Sequence, residues 1–192
     1  MRSKIFAVAV VTMLVGATSY VFLVGRRSAP GDQPRPEAGP VVLSGGAVFE
    51  VPDPDFPTPM DHDLGAVFEL RSAPEDPART NEQLGTMARY LNMHARAGVP
   101  RENLRVAAVV HGGASRALLQ DDFYRERVGV ENPNTELVRE IIAAGGEVIL
   151  CGQSAAAQNI SREQLLPGVK VALSAMTALV TLQQQGYELI LW

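Results

Sequence analysis

Apolar and polar positions alternate along the chain from about residue 63 in a strand-and-helix pattern. Short apolar runs rich in β-branched residues predict strands, and between these runs apolar residues recur at helical spacing. The strand–helix order and the short connections predict a mostly parallel sheet with helices on both faces. The five predicted strands span residues 65–70, 104–110, 147–151, 169–173 and 187–192.

The length of this region narrows the fold class. A block of about 130 residues with five strands in this order matches the size of a doubly wound domain. We therefore expect an α/β protein with a flavodoxin-like three-layer α/β/α sandwich and a mostly parallel five-stranded sheet.

Two helix starts carry capping signals. Thr80 with Gln83 fits a capping box, and Asn132 before Pro133 fits a cap followed by proline at the first helical position.

The third predicted strand ends in the only cysteine of the chain, Cys151. Gly152, Gln153 and Ser154 follow, and then an alanine run that favours a helix. This order places the thiol at the carboxyl end of a strand, where open α/β sheets bind ligands, and beside a helix amino terminus, which favours a thiolate. A reactive cysteine is one interpretation, a small buried hydrophobic residue is the other, and both remain open on these residues.

The second predicted strand ends in His111, Gly112 and Gly113, which should therefore share a sheet edge with Cys151. A histidine there suits hydrogen bonding to a thiolate, proton transfer or ligand orientation. The glycine pair suits a close approach of the backbone to a ligand, or a small anion nest. The alternative for His111 is a strand-end histidine whose ring is simply hydrogen-bonded to its neighbours. The alternative for the glycines is an ordinary strand-to-helix turn, since they match no nucleotide-binding signature.

Composition argues against several other kinds of chemistry. One cysteine forms no internal disulfide and leaves no second thiol for thioredoxin-like exchange. The three histidines lie far apart in sequence, so we predict no metal site, and we predict no cofactor. The sequence contains no Gly-x-Ser-x-Gly elbow and identifies no acid that would orient a Cys–His pair. A net charge of −4 without a Lys/Arg-dense stripe argues against nucleic-acid binding.

The first 27 residues form a hydrophobic leader. Arg2 and Lys4 precede an uncharged, mostly apolar run over residues 5–25, which is long enough to span a bilayer as a helix. A cleaved signal peptide usually has a shorter apolar core, so residues 1–27 favour an uncleaved membrane anchor, with a signal peptide as the alternative. Both interpretations predict a membrane-anchored or periplasmic protein, and the anchor would contact the membrane through residues 5–25.

Prolines dominate the next segment, residues 28–62. Its first part, up to Pro40, is nearly free of apolar residues and is typical of an extended linker. Residues 41–49 are more apolar, and the prolines that follow them forbid a helix or a central strand. We expect residues 41–62 to form an extended arm that lies on the domain or on a neighbouring subunit, the alternative being further disordered linker. The folded domain is expected over residues 63–192.

Four sequence blocks resemble the DsrE/DsrF-like family. They are VVHGG at 109–113, NPN at 132–134, CGQS at 151–154 and LLPGVKVALSAMT at 165–177, within a likeness over roughly residues 63–192. The resemblance implies a flavodoxin-like sandwich and a small symmetric homo-oligomer, a trimer or a hexamer. In sulfur-relay members, a cysteine at the end of this strand accepts sulfur as a persulfide, and Cys151 matches that position. His111 matches a residue common in the single-chain branch of the family.

Two functional hypotheses follow from the residues and the resemblance together. The first is an envelope-located sulfur carrier with Cys151 and His111 as catalytic residues. Its sulfur donor and acceptor would be proteins outside the cytoplasm, because the leader distinguishes this chain from the cytosolic relay members. The alternative is a non-catalytic oligomeric module of the same fold that binds a small ligand or assists assembly. The candidate ligand-binding residues are Gly112, Gly113, Asn132, Gly152, Gln153 and Ser154.

Overall fold

Residues 34–191 are described by the computed structural model, and their strands form one five-stranded sheet. The strands are β1 (Leu64–Leu70), β2 (Leu104–Val110), β3 (Glu147–Cys151), β4 (Lys170–Ala172) and β5 (Glu188–Ile190). They lie in the order β4-β3-β2-β1-β5, and every pair is parallel. The predicted flavodoxin-like α/β sandwich is therefore confirmed, with a sheet that is parallel throughout.

Helices connect the strands, and the first of them begins one residue later than predicted. Asn81 is the N-cap, because its side-chain oxygen accepts hydrogen bonds from the N–H groups of Gln83 and Leu84. The predicted cap at Thr80 was wrong, since the Gln83 side chain donates to the carbonyl of Glu69 instead of bonding back to the cap. The α-helices are α1 (Glu82–Arg96), α2 (Asp121–Val128), α3 (Thr135–Ala143), α4 (Gly152–Ala157) and α5 (Ala175–Gln184), and short 3-10 helices span Arg101–Asn103, Gly112–Leu118 and Arg162–Gln164.

Helix α3 also begins later than the sequence indicates. Asn134 precedes its first residue, Thr135, so the predicted cap at Asn132 was wrong. Asn132 is buried, and its side-chain oxygen accepts hydrogen bonds from the backbone and the side-chain amide of Asn134. Its own amide donates to the carbonyls of Ala117 and Leu119. Asn132 therefore joins two turns of the chain and does not cap the helix.

The order of the strands decides which face of the sheet each helix covers. Strands β1 to β4 are added successively in one direction, so right-handed crossovers place their connections on one face. Strand β5 pairs with the other side of β1, so the connection through α5 reverses direction and crosses the opposite face. The sheet therefore divides the apolar core into two parts, one on each of its faces. The larger part holds Val110 and Leu150 against α1 and α3, and the smaller part holds Val109, Ile149 and Leu182 of α5.

Residues 37–48 form an arm that lies across α1 and α3. Val42 of the arm is fully buried in the larger part of the core. Asn92 of α1, which is also fully buried, forms five hydrogen bonds with backbone groups of residues 41–46. The arm therefore lies on its own domain, and the compact unit begins at Pro34.

Two charged residues add further anchors for the arm. The Oε2 atom of Glu140, in α3, accepts hydrogen bonds of 2.7–2.9 Å from the N–H groups of Leu43 and Ser44 and from the Ser44 hydroxyl. Arg96, the last residue of α1, donates to the carbonyl of Gly39 at 2.8 Å. The polar groups of the proline-rich segment are thus paired with helical side chains, which replaces the pairing that a strand would supply.

The leader predicted over residues 1–27 lies outside the described residues. Within residues 34–191, no helix combines the length and the apolar character that crossing a membrane requires. The membrane contact through residues 5–25 stays a prediction.

Candidate functional site

Cys151 and His111 occupy neighbouring strands at the carboxyl edge of the sheet. Strands β2 and β3 pair in parallel up to Val110 and Leu150, so His111 and Cys151 are the next residues on the two strands. Val109 and Cys151 both belong to the smaller part of the core, under α5. The extended backbone of His111 continues the alternation of side chains, so His111 and Cys151 face the same side of the sheet.

The starts of two helices place polar groups near the Cys151 sulfur. Those that act on the pKa of the thiol are the N–H groups of Gln153 and Ser154 in α4, the N–H group of Ala175 in α5, and the Ser154 hydroxyl. Burial by itself raises the pKa of this thiol, which is only 5% exposed. The hydrogen bonds from Ser154, Ala175 and Gln153 outweigh burial and lower the pKa of the thiol below its ordinary value.

Ser154 connects the thiol with the glycine turn that follows β2. Its hydroxyl oxygen accepts a hydrogen bond of 3.0 Å from the N–H of Gly112, and the same hydroxyl contributes to the lowered pKa of the Cys151 thiol. Gly112 has a φ of +56°, and a Cβ there would lie 3.0 Å from the carbonyl oxygen of Arg71. The structure thus brings three of the predicted site residues, Gly112, Cys151 and Ser154, close together.

Gly152 and Gln153 form the turn from β3 into α4. A Cβ on Gly152 would lie 2.6 Å from the carbonyl oxygen of Ala172 in β4, so the helix can start this close to the neighbouring strand only with glycine. Gln153 gives its backbone N–H to the thiol, and its side-chain amide lies 3.4 Å from the carbonyl of Leu173. Both residues therefore shape the surroundings of the sulfur.

His111 is paired with an acid that the sequence did not identify. Its Nε2 atom lies 2.9 Å from Oε1 of Glu69, and both side chains are largely buried. Glu69 lies on β1 and faces the same side as His111, because Val67, two residues earlier, belongs to the smaller part of the core. A proton on Nε2 is donated to the carboxylate, which then fixes the orientation of the ring. Within residues 34–191, no hydrogen bond joins His111 to Cys151.

Two of the predicted site residues lie apart from this group. The Asn132 side chain donates to the carbonyls of Ala117 and Leu119 and accepts two hydrogen bonds from Asn134, so it takes no part in the group around the thiol. Gly113 lines a separate cavity together with Arg116. The structure therefore gathers Gly112, Gly152, Gln153 and Ser154 around the thiol and leaves Asn132 and Gly113 elsewhere.

The arrangement around Cys151 suits nucleophilic sulfur chemistry. A thiol whose pKa is lowered by nearby N–H and hydroxyl groups is stabilised as a thiolate, which is the form that attacks an electrophilic sulfur. The same donors are placed to stabilise negative charge on a persulfide or on a leaving thiolate. Because the sulfur is nearly buried, it admits small reagents or a narrow donor group more readily than a broad surface.

The sequence missed two contributors to the site. Glu69 carried a visible signal, since it is a carboxylate inside an otherwise apolar strand next to the candidate edge. The start of α5 carried none, because Ala175 acts through its backbone N–H and lies far from Cys151 along the chain. Ser174 caps this helix by accepting the N–H of Thr177, which fixes the turn that presents Ala175 to the thiol.

The chain is similar to two solved structures. A solved structure entitled protein of unknown function MTH1491, from Methanobacterium thermoautotrophicum, is similar with a TM-score of 0.50 and 20% identity, over 67% of this chain and 98% of that one. The ychN protein from E. coli is similar with a TM-score of 0.45 and 16% identity, over 67% of this chain and 97% of that one. None of the curated proteins compared with the chain matches it.

The family assignment comes from the sequence. At 20% identity, the likeness to the structure of MTH1491 concerns the fold alone. The model of the DsrE/DsrF-like family, by contrast, matches residues 66–192, which is more than half of the chain and includes the whole candidate site around Cys151. The chain therefore belongs to the DsrE/DsrF-like family.

Proposed function

We propose that this chain is a sulfur carrier of the cell envelope that holds sulfur as a persulfide on Cys151. The observation that supports this most strongly is the position of Cys151 at the end of β3 and the start of α4, where nearby N–H groups lower the pKa of the thiol in spite of its burial. A lowered pKa increases the fraction of thiolate at neutral pH, and the thiolate is the nucleophile. Membership of a family that includes sulfur-relay proteins supports the same chemistry.

Sulfur transfer from a donor persulfide needs no oxidant. The Cys151 thiolate attacks the outer sulfur of a donor R–S–SH, a new S–S bond to Cys151 forms, and the S–S bond of the donor breaks. The products are Cys151–S–SH and the donor thiolate R–S⁻, so atoms and charge balance. Attack by an acceptor thiolate on the outer sulfur then moves that sulfur onward and restores the Cys151 thiolate. The N–H groups that bind the thiolate stabilise its charge as it leaves.

His111 and Glu69 form the second part of the proposed site. His111 is the residue next to Cys151 across the sheet, so its ring is placed to exchange a proton with an incoming or departing persulfide. Glu69 acts through His111 by holding the ring in one orientation. Glu69 is therefore proposed as a positioning residue, and His111 as the residue that handles the proton.

The proposed location in the envelope rests on the leader, residues 1–27. A membrane anchor or a periplasmic form would place Cys151 outside the cytoplasm. The donor and the acceptor would then be envelope proteins with an exposed persulfide or thiol. Fractionation of cells that produce the full-length chain tests this part separately, and a soluble cytoplasmic protein with an intact leader would contradict it.

Intact-protein mass spectrometry tests the sulfur chemistry. The full-length chain is incubated with thiosulfate or polysulfide, and we expect one added sulfur on the wild type and none on Cys151→Ser. With thiosulfate, the Cys151 thiolate takes the outer sulfur and sulfite leaves. Because the chain has one cysteine, the adduct needs no further assignment. The native thiol should also alkylate faster at neutral pH than free cysteine.

Three variants separate the proposed roles. His111→Ala and Glu69→Gln should slow sulfur loading without abolishing it, because the hydrogen bonds to the sulfur remain. Glu126→Gln removes an exposed carboxylate on α2 and should leave the rate unchanged. A thiol that alkylates only after denaturation and gains no sulfur would end the sulfur-carrier proposal.

A second candidate function is a non-catalytic assembly module of the same fold, and the surface around α5 favours it. Leu173, Met176 and Val180 are exposed there, beside a groove of about 310 Å³ between α5 and the edge strand β4. We propose that a homo-oligomer, a trimer or a hexamer, covers this surface. Sedimentation of the full-length chain should find an oligomer that Met176→Glu dissociates, and a strictly monomeric wild type at micromolar concentration would contradict it.

A further inference from the structure

A cavity separate from the thiol site lies beside the loops that follow β1 and β2. Its volume is about 290 Å³, at the lower end of the range for small-molecule sites. Its walls come from residues 73–77, residues 113–117 and helix α2. Ala114 and Tyr124, which line it, belong to the larger part of the core, so the cavity lies on the opposite face of the sheet from Cys151. None of the chemistry proposed for the thiol uses this cavity.

Two opposite charges line this cavity without pairing. Arg116 is half-buried, and no hydrogen bond or ion pair joins its guanidinium to another residue among those described. Glu75, on the facing loop, likewise has no ion pair within residues 34–191. An arginine is always charged, so a carboxylate that enters this cavity meets a guanidinium that no protein group among those described occupies.

The charge of Arg116 acts on a neighbouring tyrosine of the cavity. Burial raises the pKa of the Tyr124 hydroxyl, and the positive charge of Arg116 acts against this by lowering it. Arg116 and Tyr124 both line the cavity. Asp76 raises the pKa of the same hydroxyl and adds a second negative charge on the side of Glu75.

The remaining walls are mostly apolar and held in place, and the buried Asn134 side chain that also lines the cavity is hydrogen-bonded to Asn81 and Asn132. Ala73, Pro74, Pro77 and Val128 line the cavity, and proline restricts the backbone of the loop. The Tyr124 hydroxyl donates to the carbonyl of Pro77 at 2.8 Å, which ties the loop to α2. The cavity is therefore largely formed before any ligand enters, so little ordering cost opposes binding.

We propose that this cavity binds a small zwitterion of the free α-amino acid class. The carboxylate would pair with Arg116, the ammonium would face Glu75, and the side chain would lie against the apolar walls. A simple anion would be repelled by Glu75 and Asp76, and a simple amine by Arg116, so a molecule that carries both charges fits this cavity best.

Ligand-detected NMR followed by calorimetry tests the proposal on the full-length chain in mild detergent. The free protein-forming α-amino acids are screened singly, and the tightest binder is compared with its deaminated and decarboxylated analogues. We expect saturable binding of the amino acid and binding of both analogues that is about tenfold weaker or worse, because each analogue lacks one charge-assisted hydrogen bond. Arg116→Gln and Glu75→Gln should each weaken binding to a similar extent.

The control variant is Arg79→Gln, which removes an exposed arginine that pairs with Glu82 and should leave binding unchanged. Cys151→Ser should also bind the amino acid normally, so failure here is distinct from failure of the sulfur proposal. No saturable binding at millimolar concentration, or equal binding in Arg116→Gln, would overturn the proposal. Circular dichroism shows whether each charge variant is folded. If one is not, the analogues measured on the wild type still test the proposal, because equally tight binding of the deaminated analogue would contradict recognition of both charges.

Discussion

The arm anchor at Glu140 and the thiol site at Cys151 use the same interaction with different consequences. In each, a serine hydroxyl and backbone N–H groups converge on one acidic group. Glu140 accepts hydrogen bonds from Leu43 and Ser44 of the arm, and the pKa of Cys151 is lowered by Ser154 and by N–H groups at the starts of two helices. At both places burial raises the pKa of the acid, and the hydrogen bonds bring it below its ordinary value.

The ordinary pKa of each acid explains the different consequences. A carboxyl group is already ionised at neutral pH, so the hydrogen bonds to Glu140 only hold the arm. A thiol is ordinarily protonated at neutral pH, so the same bonds at Cys151 change its chemical state. One hydrogen-bond pattern thus serves structure or reactivity according to the acid on which it converges.

The largest effect should appear on the arm side, at Asn92. Asn92→Ala removes a side chain that satisfies five backbone groups of residues 41–46. Buried groups left unpaired cost roughly 1–3 kcal/mol each, and some of these will reach water, so we expect the free energy of unfolding to fall by about 4 kcal/mol. Urea denaturation of the full-length chain measures the loss. Asn103→Ala, which removes one exposed bond to the carbonyl of Met60, should cost less than about 1 kcal/mol, and equal losses would contradict the anchor.

Two glycines close to α1 should respond in opposite directions. Gly46 in the arm has a φ of +67°, and a Cβ there would lie 2.4 Å from backbone atoms of Ala88 and Arg89. We expect Gly46→Ala to lower the free energy of unfolding by about 3 kcal/mol. Gly85 lies in α1 with open space at its Cβ, so Gly85→Ala should stabilise by about 0.5–1 kcal/mol. Chemical denaturation gives both values, and changes of the same sign would argue against close packing of the arm on α1.

Matched serine variants sharpen the comparison of the two acids. Ser154→Ala removes a hydroxyl that lowers the pKa of the Cys151 thiol, so this pKa should rise and alkylation at neutral pH should slow severalfold. Ser44→Ala removes the corresponding hydroxyl from Glu140 and should leave the alkylation rate unchanged. Stopped-flow alkylation with a chromogenic disulfide measures both rates. Equal rates in the wild type and Ser154→Ala would show that the hydroxyl does not stabilise the thiolate.

The smallest expected effect is the pH dependence of the arm anchor. Burial raises the pKa of Glu140, but the hydrogen bonds from Ser44 and Leu43 bring it below its unfolded value. Its contribution to stability is therefore fully present above the unfolded pKa and is lost as the pH falls through the folded pKa. Solvent screens this contact, so we expect at most about 1 kcal/mol. The stability difference between the wild type and Glu140→Gln should shrink from about pH 6 to about pH 3, and a constant difference would contradict the assignment.

The central strands could be predicted from the sequence more accurately than the edge strands. The bounds of β2 and β3 match the prediction, because both strands are apolar and buried over most of their length. The edge strands β4 and β5 are shorter than predicted, since each pairs on one side only and lacks a second neighbour to extend its pairing. The helix starts at Asn81 and Asn134 were missed because nearby polar residues offered competing caps.

The sequence by itself determined the family, the order of strands and helices, and the position of Cys151 at a strand end beside a helix start. These follow from local pattern, since neighbours along the chain decide where a strand stops and a helix begins. The tertiary structure decided that Glu69 pairs with His111, that the N–H of Ala175 reaches the thiol, and that Asn92 holds the arm. Each of these contacts joins residues far apart in sequence. Their formation depends on which strands become neighbours and which face each helix covers, and no local pattern specifies that arrangement.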